Sequence, residues 1–125
     1  MGLDIMYDAA YGMTRYAFRA GSYSGFHEFR AQLVDYDAGR GLFHALLDHS
    51  DCDGELSQEE CAKLHEDFVR ERDAFIEAVH EKFKGNDGEM SANAQEEVDW
   101  FIKKYGEWME WVGVCAAYGG RLVFA

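Results

Sequence analysis

Residues 49–60 have the residue types and much of the spacing of a calcium-binding EF-hand loop. Calcium takes oxygen ligands, which such a loop supplies from positions 1, 3, 5, 7 and 12, with glycine at position 6. With Gly54 at position 6, the predicted ligands are the side chains of Asp51, Asp53 and Glu60 and the backbone carbonyl of Glu55. Position 1 is His49, however, and a neutral imidazole is a poor substitute for the expected carboxylate.

The same residues also predict a connection between two helices that needs no metal. Asp53 and Gly54 are a typical turn pair, and Ser57 followed by Glu60 is a capping box, which starts a helix. Leu56 between them is an apolar residue that would face the core. We therefore interpret the segment first as a hydrogen-bonded helix connector and keep the calcium site as the alternative.

A zinc site is the third interpretation of this segment. His49 and Cys52, followed by Cys61 and His65, have spacings typical of paired zinc ligands. The gap between the two pairs is short, and Cys61 also falls on the apolar stripe of a predicted helix, where a thiol usually has a packing role. We expect no cofactor, with calcium and, less strongly, zinc as the alternatives.

A Gly/Ser-rich segment at residues 18–27 is the second candidate region. A serine there would begin a helix, and the backbone N–H groups at a helix start attract anions. Arg19 or Arg30 would neutralise such a ligand, and Ser22 and Tyr23 would lie beside it. Ordinary helix capping explains the same residues, so small-ligand binding is an alternative to a purely structural role.

Two tryptophans, Trp100 and Trp111, are candidate interface anchors. In the helix predicted around them, Phe101, Tyr105 and Trp108 share one face, while these two project at other angles. An exposed tryptophan concentrates binding energy at protein interfaces. Burial against the core is the alternative.

The sequence lacks the motifs of the common catalytic classes. It has no phosphate-binding loop, no dinucleotide fingerprint and no zinc-protease motif. The five histidines are scattered, and no nucleophile–base pair can be assembled from spacing. Catalysis is therefore not supported, and we expect a protein without enzymatic activity.

The net charge of −12 is concentrated in the middle of the chain, where residues 48–99 contain 17 acidic and five basic residues. Such a segment repels the phosphates of nucleic acid. It is compatible with a bound cation, with a partner protein that has a basic surface, or with a solvated face that only keeps the protein in solution, and we expect the basic protein as partner. No apolar run is long enough to cross a membrane, no secretory signal is visible, and three cysteines are too few for a disulfide framework. We expect a soluble, cytoplasmic protein that binds neither nucleic acid nor membrane.

The elements that would position these residues form one α+β domain spanning residues 1–125. Strands are predicted at residues 3–7, 14–19 and 121–125. Helices are predicted from Ser22 or Ser24 to residue 37, over residues 42–47, from Ser57 to Gly85, and from Ser91 or Asn93 to Gly119. The expected fold is a small antiparallel sheet of about three strands, drawn from both chain ends and packed against several helices.

Three blocks of sequence together resemble a family of small uncharacterised proteins of bacteria and phages. They are MGLDI at residues 1–5, FRAGSYSGF at 18–26 and HSDCDGEL at 49–56, and GRLVF at 120–124 is similar to the family's closing strand. The resemblance implies a phage or prophage context and no particular activity. It also implies that His49 belongs to the family motif, which weighs against calcium.

The sequence thus predicts a non-enzymatic interaction protein with an acidic protein-binding surface. Trp100 or Trp111 would anchor the partner in that case. The alternative is a metal- or small-ligand-binding domain that uses the EF-hand-like loop at residues 49–60, with the carboxylates at 51 and 53 facing the Gly/Ser-rich segment.

Overall fold

The computed structural model of the protein describes residues 2–10, 12–50 and 53–125. Within these ranges, four strands and four helices follow one another along the chain. Their order is β1 (Gly2–Asp8), β2 (Thr14–Ser22), α1 (Tyr23–Asp37), α2 (His44–Leu47), β3 (Glu55–Leu56), α3 (Gln58–Phe83), α4 (Ala92–Tyr118) and β4 (Arg121–Phe124). None of the described helices is long and apolar enough to cross a membrane.

The sheet is antiparallel throughout, with the strand order β2-β1-β4-β3. The predicted α+β fold, with a sheet formed by both chain ends and packed against helices, is confirmed, although the sheet has four strands rather than three. The additional strand is β3, in which Glu55 pairs with Val123 and Leu56 with Leu122. A two-residue strand has no periodicity of its own, and it exists here because β4 offers an edge to pair with.

The strand β2 extends to Ser22, three residues beyond its predicted end, and runs directly into α1. The β1–β2 register shifts twice, between Leu3 and Asp4 and between Ile5 and Met6. Such irregularities increase the twist of a strand and discourage pairing with another chain. They occur in the strand that forms one edge of the sheet and that carries the start of α1.

The two long helices α3 and α4 begin where their serines predict. Ser57 accepts a hydrogen bond from the Glu60 N–H (3.2 Å), and the Glu60 carboxylate accepts one from the Ser57 N–H (2.9 Å), which completes the capping box. Ser91 caps α4 in the same way through the Ala94 N–H. Both predicted apolar stripes are buried; their fully buried members are Cys61, Leu64, Phe68, Phe75 and Val79 on α3, and Val98, Phe101, Tyr105, Trp108, Val112 and Cys115 on α4.

Trp108 lies at the centre of the core, between the sheet and α1. Its ring meets Phe18 edge-on at 4.8 Å between centroids and lies 5.9 Å from both Phe26 and Phe124. These rings come from β2, α1 and β4, so one α4 side chain joins three other elements. Aromatic contacts of this kind add to the free energy gained by burying the rings.

Two buried carboxylates hold the connection between α1 and α2. Asp37 accepts hydrogen bonds from the Gly41 and Leu42 N–H groups, and Asp67 of α3 accepts one from the Phe43 N–H at 3.0 Å. Phe43 has a φ of 58°, a conformation that is rare for a bulky residue. Its ring is fully buried, so Asp67 holds a strained backbone that places an aromatic side chain in the core.

Replacing Asp67 with alanine should lower the free energy of unfolding by about 1–3 kcal/mol, because it leaves the buried Phe43 N–H without an acceptor. Asp67→Asn should cost less, since its amide oxygen can still accept that hydrogen bond. Urea unfolding measures both losses. Asp73→Ala is the control, because this exposed carboxylate pairs only with Arg72 at the surface, and its loss should stay within about 0.5 kcal/mol. Equal losses for Asp67→Ala and Asp73→Ala would contradict the role of Asp67.

Candidate functional site

A cleft of about 610 Å³ opens between the start of α1 and the first turns of α4. This volume lies within the range of small-ligand sites, roughly 300–1,000 Å³. We call it the α1–α4 cleft. Its lining residues are Gly21, Ser22, Gly25 and Glu28 on one side and Asn93, Glu96, Glu97, Trp100 and Phe101 on the other.

The wall on the α1 side is built from glycines at the junction of β2 and α1. Ser22 caps α1 by accepting a hydrogen bond from the Gly25 N–H at 3.0 Å, and Gly21 precedes it with a φ of 127°. A Cβ atom at Gly21 or Gly25 would lie 3.4 or 3.6 Å from the six-membered ring of Trp100. Because these two glycines have no side chains, the backbone of the junction packs directly against the indole ring. Two predicted site residues, Ser22 and Trp100, therefore line the same cleft.

Trp100 is partly buried and is held by two neighbours on α4. Its ring meets the Phe101 ring edge-on at 5.4 Å between centroids, and the Lys104 ammonium group lies 5.8 Å from its centroid. Lys104 is itself buried; its Nζ donates to the Arg19 carbonyl (2.6 Å) and lies 3.0 Å from the Glu107 carboxylate. This lysine ties α4 to the end of β2. The sequence reasoning missed it, because a lysine next to an apolar stripe gives no sign of burial.

Three carboxylates surround the exposed part of the cleft: Glu28 from α1, and Glu96 and Glu97 from α4. All three side chains are exposed, and none forms a hydrogen bond or ion pair with another described residue. Their like charges repel one another and attract a cation. An ammonium or guanidinium group is also attracted to the face of an indole ring. The arrangement thus suits a basic side chain with an apolar stem.

Several groups of the anion site predicted at the Gly/Ser-rich segment have other partners, among them Arg30, which donates to the Leu46 and His49 carbonyls. The Gly25 N–H is already taken by Ser22, and Arg19 pairs with Asp4 at 3.3 Å rather than lining the cleft. Tyr23 is exposed at the start of α1 but is not a lining residue either. The same segment therefore contributes backbone to one wall of the cleft, whereas the charged side chains that line the cleft are carboxylates.

The imidazole of His49 lies between two backbone carbonyls of the first half of the EF-hand-like loop. Its Nδ1 lies 2.8 Å from the Ser50 carbonyl oxygen and its Nε2 lies 2.9 Å from the Glu55 carbonyl oxygen. The ring also stacks on Phe124 at 3.9 Å between centroids. His49 thus fastens the loop to β4, and it contacts the carbonyl that the calcium interpretation assigns to the metal.

The other predicted metal ligands have different surroundings. The Glu60 carboxylate accepts the Ser57 N–H in the capping box, and Glu55 pairs with Arg121, which also pairs with Asp8 at 2.7 Å. Asp53 is exposed, and Asp51 lies outside the described residues. Among the residues that are described, no group of three His, Cys, Asp or Glu side chains could hold a metal ion. Calcium binding by this loop stays a prediction.

The cysteines of the zinc interpretation also have other surroundings than a metal site. Cys61 is buried beside Cys115 of α4, and the hydrogen bond with that thiol, together with burial, raises the pKa of Cys61 well above its ordinary value. Cys52 lies outside the described residues. Zinc binding by these residues stays a prediction.

Trp111 does not belong to the α1–α4 cleft. It is partly buried against the core, and its ring lies 6.0 Å from that of Tyr7. Of the two tryptophans predicted as anchors, the structure therefore brings only Trp100 together with the acidic cleft.

No protein-family model, curated protein or solved structure matches this chain. The functional inference therefore rests on the geometry and charge of the molecule itself.

The His49→Asp substitution separates the two interpretations of the loop, because it restores the carboxylate that an EF-hand expects at position 1. If the loop is a connector, the substitution should lower the free energy of unfolding of the protein by about 1–3 kcal/mol. The reason is that a carboxylate facing two carbonyl oxygens can donate a hydrogen bond to neither. Thermal unfolding with and without millimolar calcium measures this, with His49→Gln as a control that keeps one donor. A variant whose melting temperature rises with calcium would support the metal site instead.

Proposed function

We propose that this protein is a non-enzymatic binding protein whose α1–α4 cleft receives a basic side chain of a partner protein. The observation that supports this most directly is the position of Trp100 beside Glu28, Glu96 and Glu97, three carboxylates without partners in the described residues. An aromatic ring contacts the stem and the cationic head of a lysine or arginine, and the carboxylates neutralise its charge.

The rigidity of the cleft supports the same conclusion. Trp100 is braced by Phe101 and by the buried Lys104, and the opposite wall is a capped helix start. A side chain that is already ordered loses little conformational entropy when it binds. Partly buried tryptophans held in this way are typical anchors of protein interfaces.

Long-range electrostatics would favour a basic partner over other macromolecules. Glu96 and Glu97 belong to the acidic segment of residues 48–99, and Glu28 adds one more negative charge beside them. Such a negative surface accelerates encounter with a positive one and repels nucleic acid. A cytoplasmic location, a phage or prophage origin and membership of the family that the sequence blocks resemble are part of this proposal and rest on the sequence alone. No observation on the described residues favours the alternative site at residues 49–60.

The proposal predicts that a short peptide with two arginines binds at the cleft at low salt. In amide NMR spectra, the largest shifts should fall on Gly25 and on the Trp100 indole N–H. Replacing Glu28, Glu96 and Glu97 together with glutamine should weaken binding by roughly 3- to 150-fold, because each of the three exposed ion pairs contributes about 0.2–1 kcal/mol.

A matched control removes the same charge elsewhere. Glu59, Glu77 and Glu110 are exposed glutamates outside the cleft, so their joint replacement with glutamine should weaken binding only slightly. If both triple variants lose the same affinity, the peptide responds to net charge and the cleft is not its site.

A further inference from the structure

A second depression, of about 340 Å³, lies at the loop between α3 and α4. Its apolar lining comes from Phe83 and Met90, which are partly buried against the core, and its acidic lining comes from Asp87 and Glu89. Ser91 completes it at the start of α4. We call it the loop pocket.

The loop pocket and the α1–α4 cleft are neighbours. Phe83 lines the pocket, Phe101 lines the cleft, and their rings lie 5.9 Å apart between centroids. Ser91 of the pocket precedes Asn93 of the cleft by two residues on the first turn of α4. The two concavities thus lie side by side, separated by a pair of aromatic rings, and we call the two together the groove.

The loop has a defined shape. The Gly85 N–H donates to the Glu89 carbonyl at 2.6 Å, the Gly88 N–H donates to the Gly85 carbonyl at 3.0 Å, and the Glu89 N–H donates to the Asp87 carboxylate at 3.0 Å. Three hydrogen bonds within a few residues keep Met90 and Phe83 on the wall of the pocket. A methionine in such a wall adapts to differently shaped apolar side chains.

The chemistry of the two parts differs. The cleft combines an indole ring with three carboxylates, whereas the loop pocket is lined by two apolar side chains, Phe83 and Met90, and two carboxylates. A single basic side chain would fill only the α1–α4 cleft and leave the loop pocket empty. A chain with a basic residue followed or preceded by an apolar one would complement both.

We infer that the groove binds an extended segment of a partner protein, with a lysine or arginine in the α1–α4 cleft and an apolar side chain between Phe83 and Met90. This inference rests on the proposed function, which it makes specific: the partner must present a basic and an apolar residue on one exposed segment. Charge complementarity favours a basic segment, and the adjacency of the two concavities favours a segment longer than a single residue.

The experiment uses peptides that contain one arginine and one leucine, separated by one to four serines. Both orders of the two residues are made. Each peptide is compared with a control peptide in which serine replaces the leucine. Calorimetry should find at least one spacing at which leucine increases affinity about tenfold, as expected for burial of most of an aliphatic side chain. This difference in affinity between the leucine and serine peptides should disappear with the Met90→Ser variant. It should persist with the control variant Val34→Ser, which alters an exposed apolar residue outside both concavities.

A second measurement does not depend on the stability of the Met90→Ser variant. A peptide with a nitroxide label in place of leucine should broaden the amide resonances of Gly88 and Ser91 in the wild-type protein. Broadening confined to α1 and the middle of α4 would overturn the inference, as would equal affinity of the leucine and serine peptides at every spacing.

The outcomes distinguish this inference from the proposed function. If the peptides bind through Glu96 and Glu97 but leucine contributes nothing, the groove receives only a basic side chain, and the proposed function stands without the extension. If no arginine peptide binds at low salt, both fail.

Discussion

The insertion of β4 between β1 and β3 is the interaction on which the rest of the structure depends. Leu122 and Phe124 of this strand are buried, and Phe124 touches Trp108 on one helix and His49 in the acidic loop. Without β4, the β1–β2 hairpin would be a two-stranded ribbon, which is only marginally stable in water. The last strand of the chain therefore stabilises the first two.

The junction between α4 and β4 holds the end of α4 against the sheet. Tyr7 of β1 donates a hydrogen bond to the Gly119 carbonyl at 2.7 Å, and Gly120, with a φ of 86°, leaves no room for a Cβ atom beside the Asp8 carbonyl. One end of α4 is thus fastened to the sheet. The buried Lys104 fastens its earlier part to the end of β2, and this contact places Trp100 against the start of α1.

Acidic residues have two different roles in this protein. Asp37, Asp67 and Glu60 accept hydrogen bonds from backbone N–H groups and hold loops and helix starts in place. Glu28, Glu96 and Glu97 in the α1–α4 cleft accept no hydrogen bonds from the described residues, so their charge is available to a partner. A count of charges along the chain cannot separate these roles, because the difference lies in which backbone donors are within reach.

By itself, the sequence determined the elements whose signals are local: the capping box at Ser57 and Glu60, the choice of Ser22 or Ser24 and of Ser91 or Asn93 as the other helix starts, and the two long apolar stripes. These follow from hydrogen bonds and periodicities within a few residues. Only the tertiary structure decided the partners of distant residues: the strand β3, the burial of Lys104, the stacking of His49 on Phe124, and the meeting of Trp100 with Gly21. Each of these joins residues far apart in the chain, and the core must form before they can touch.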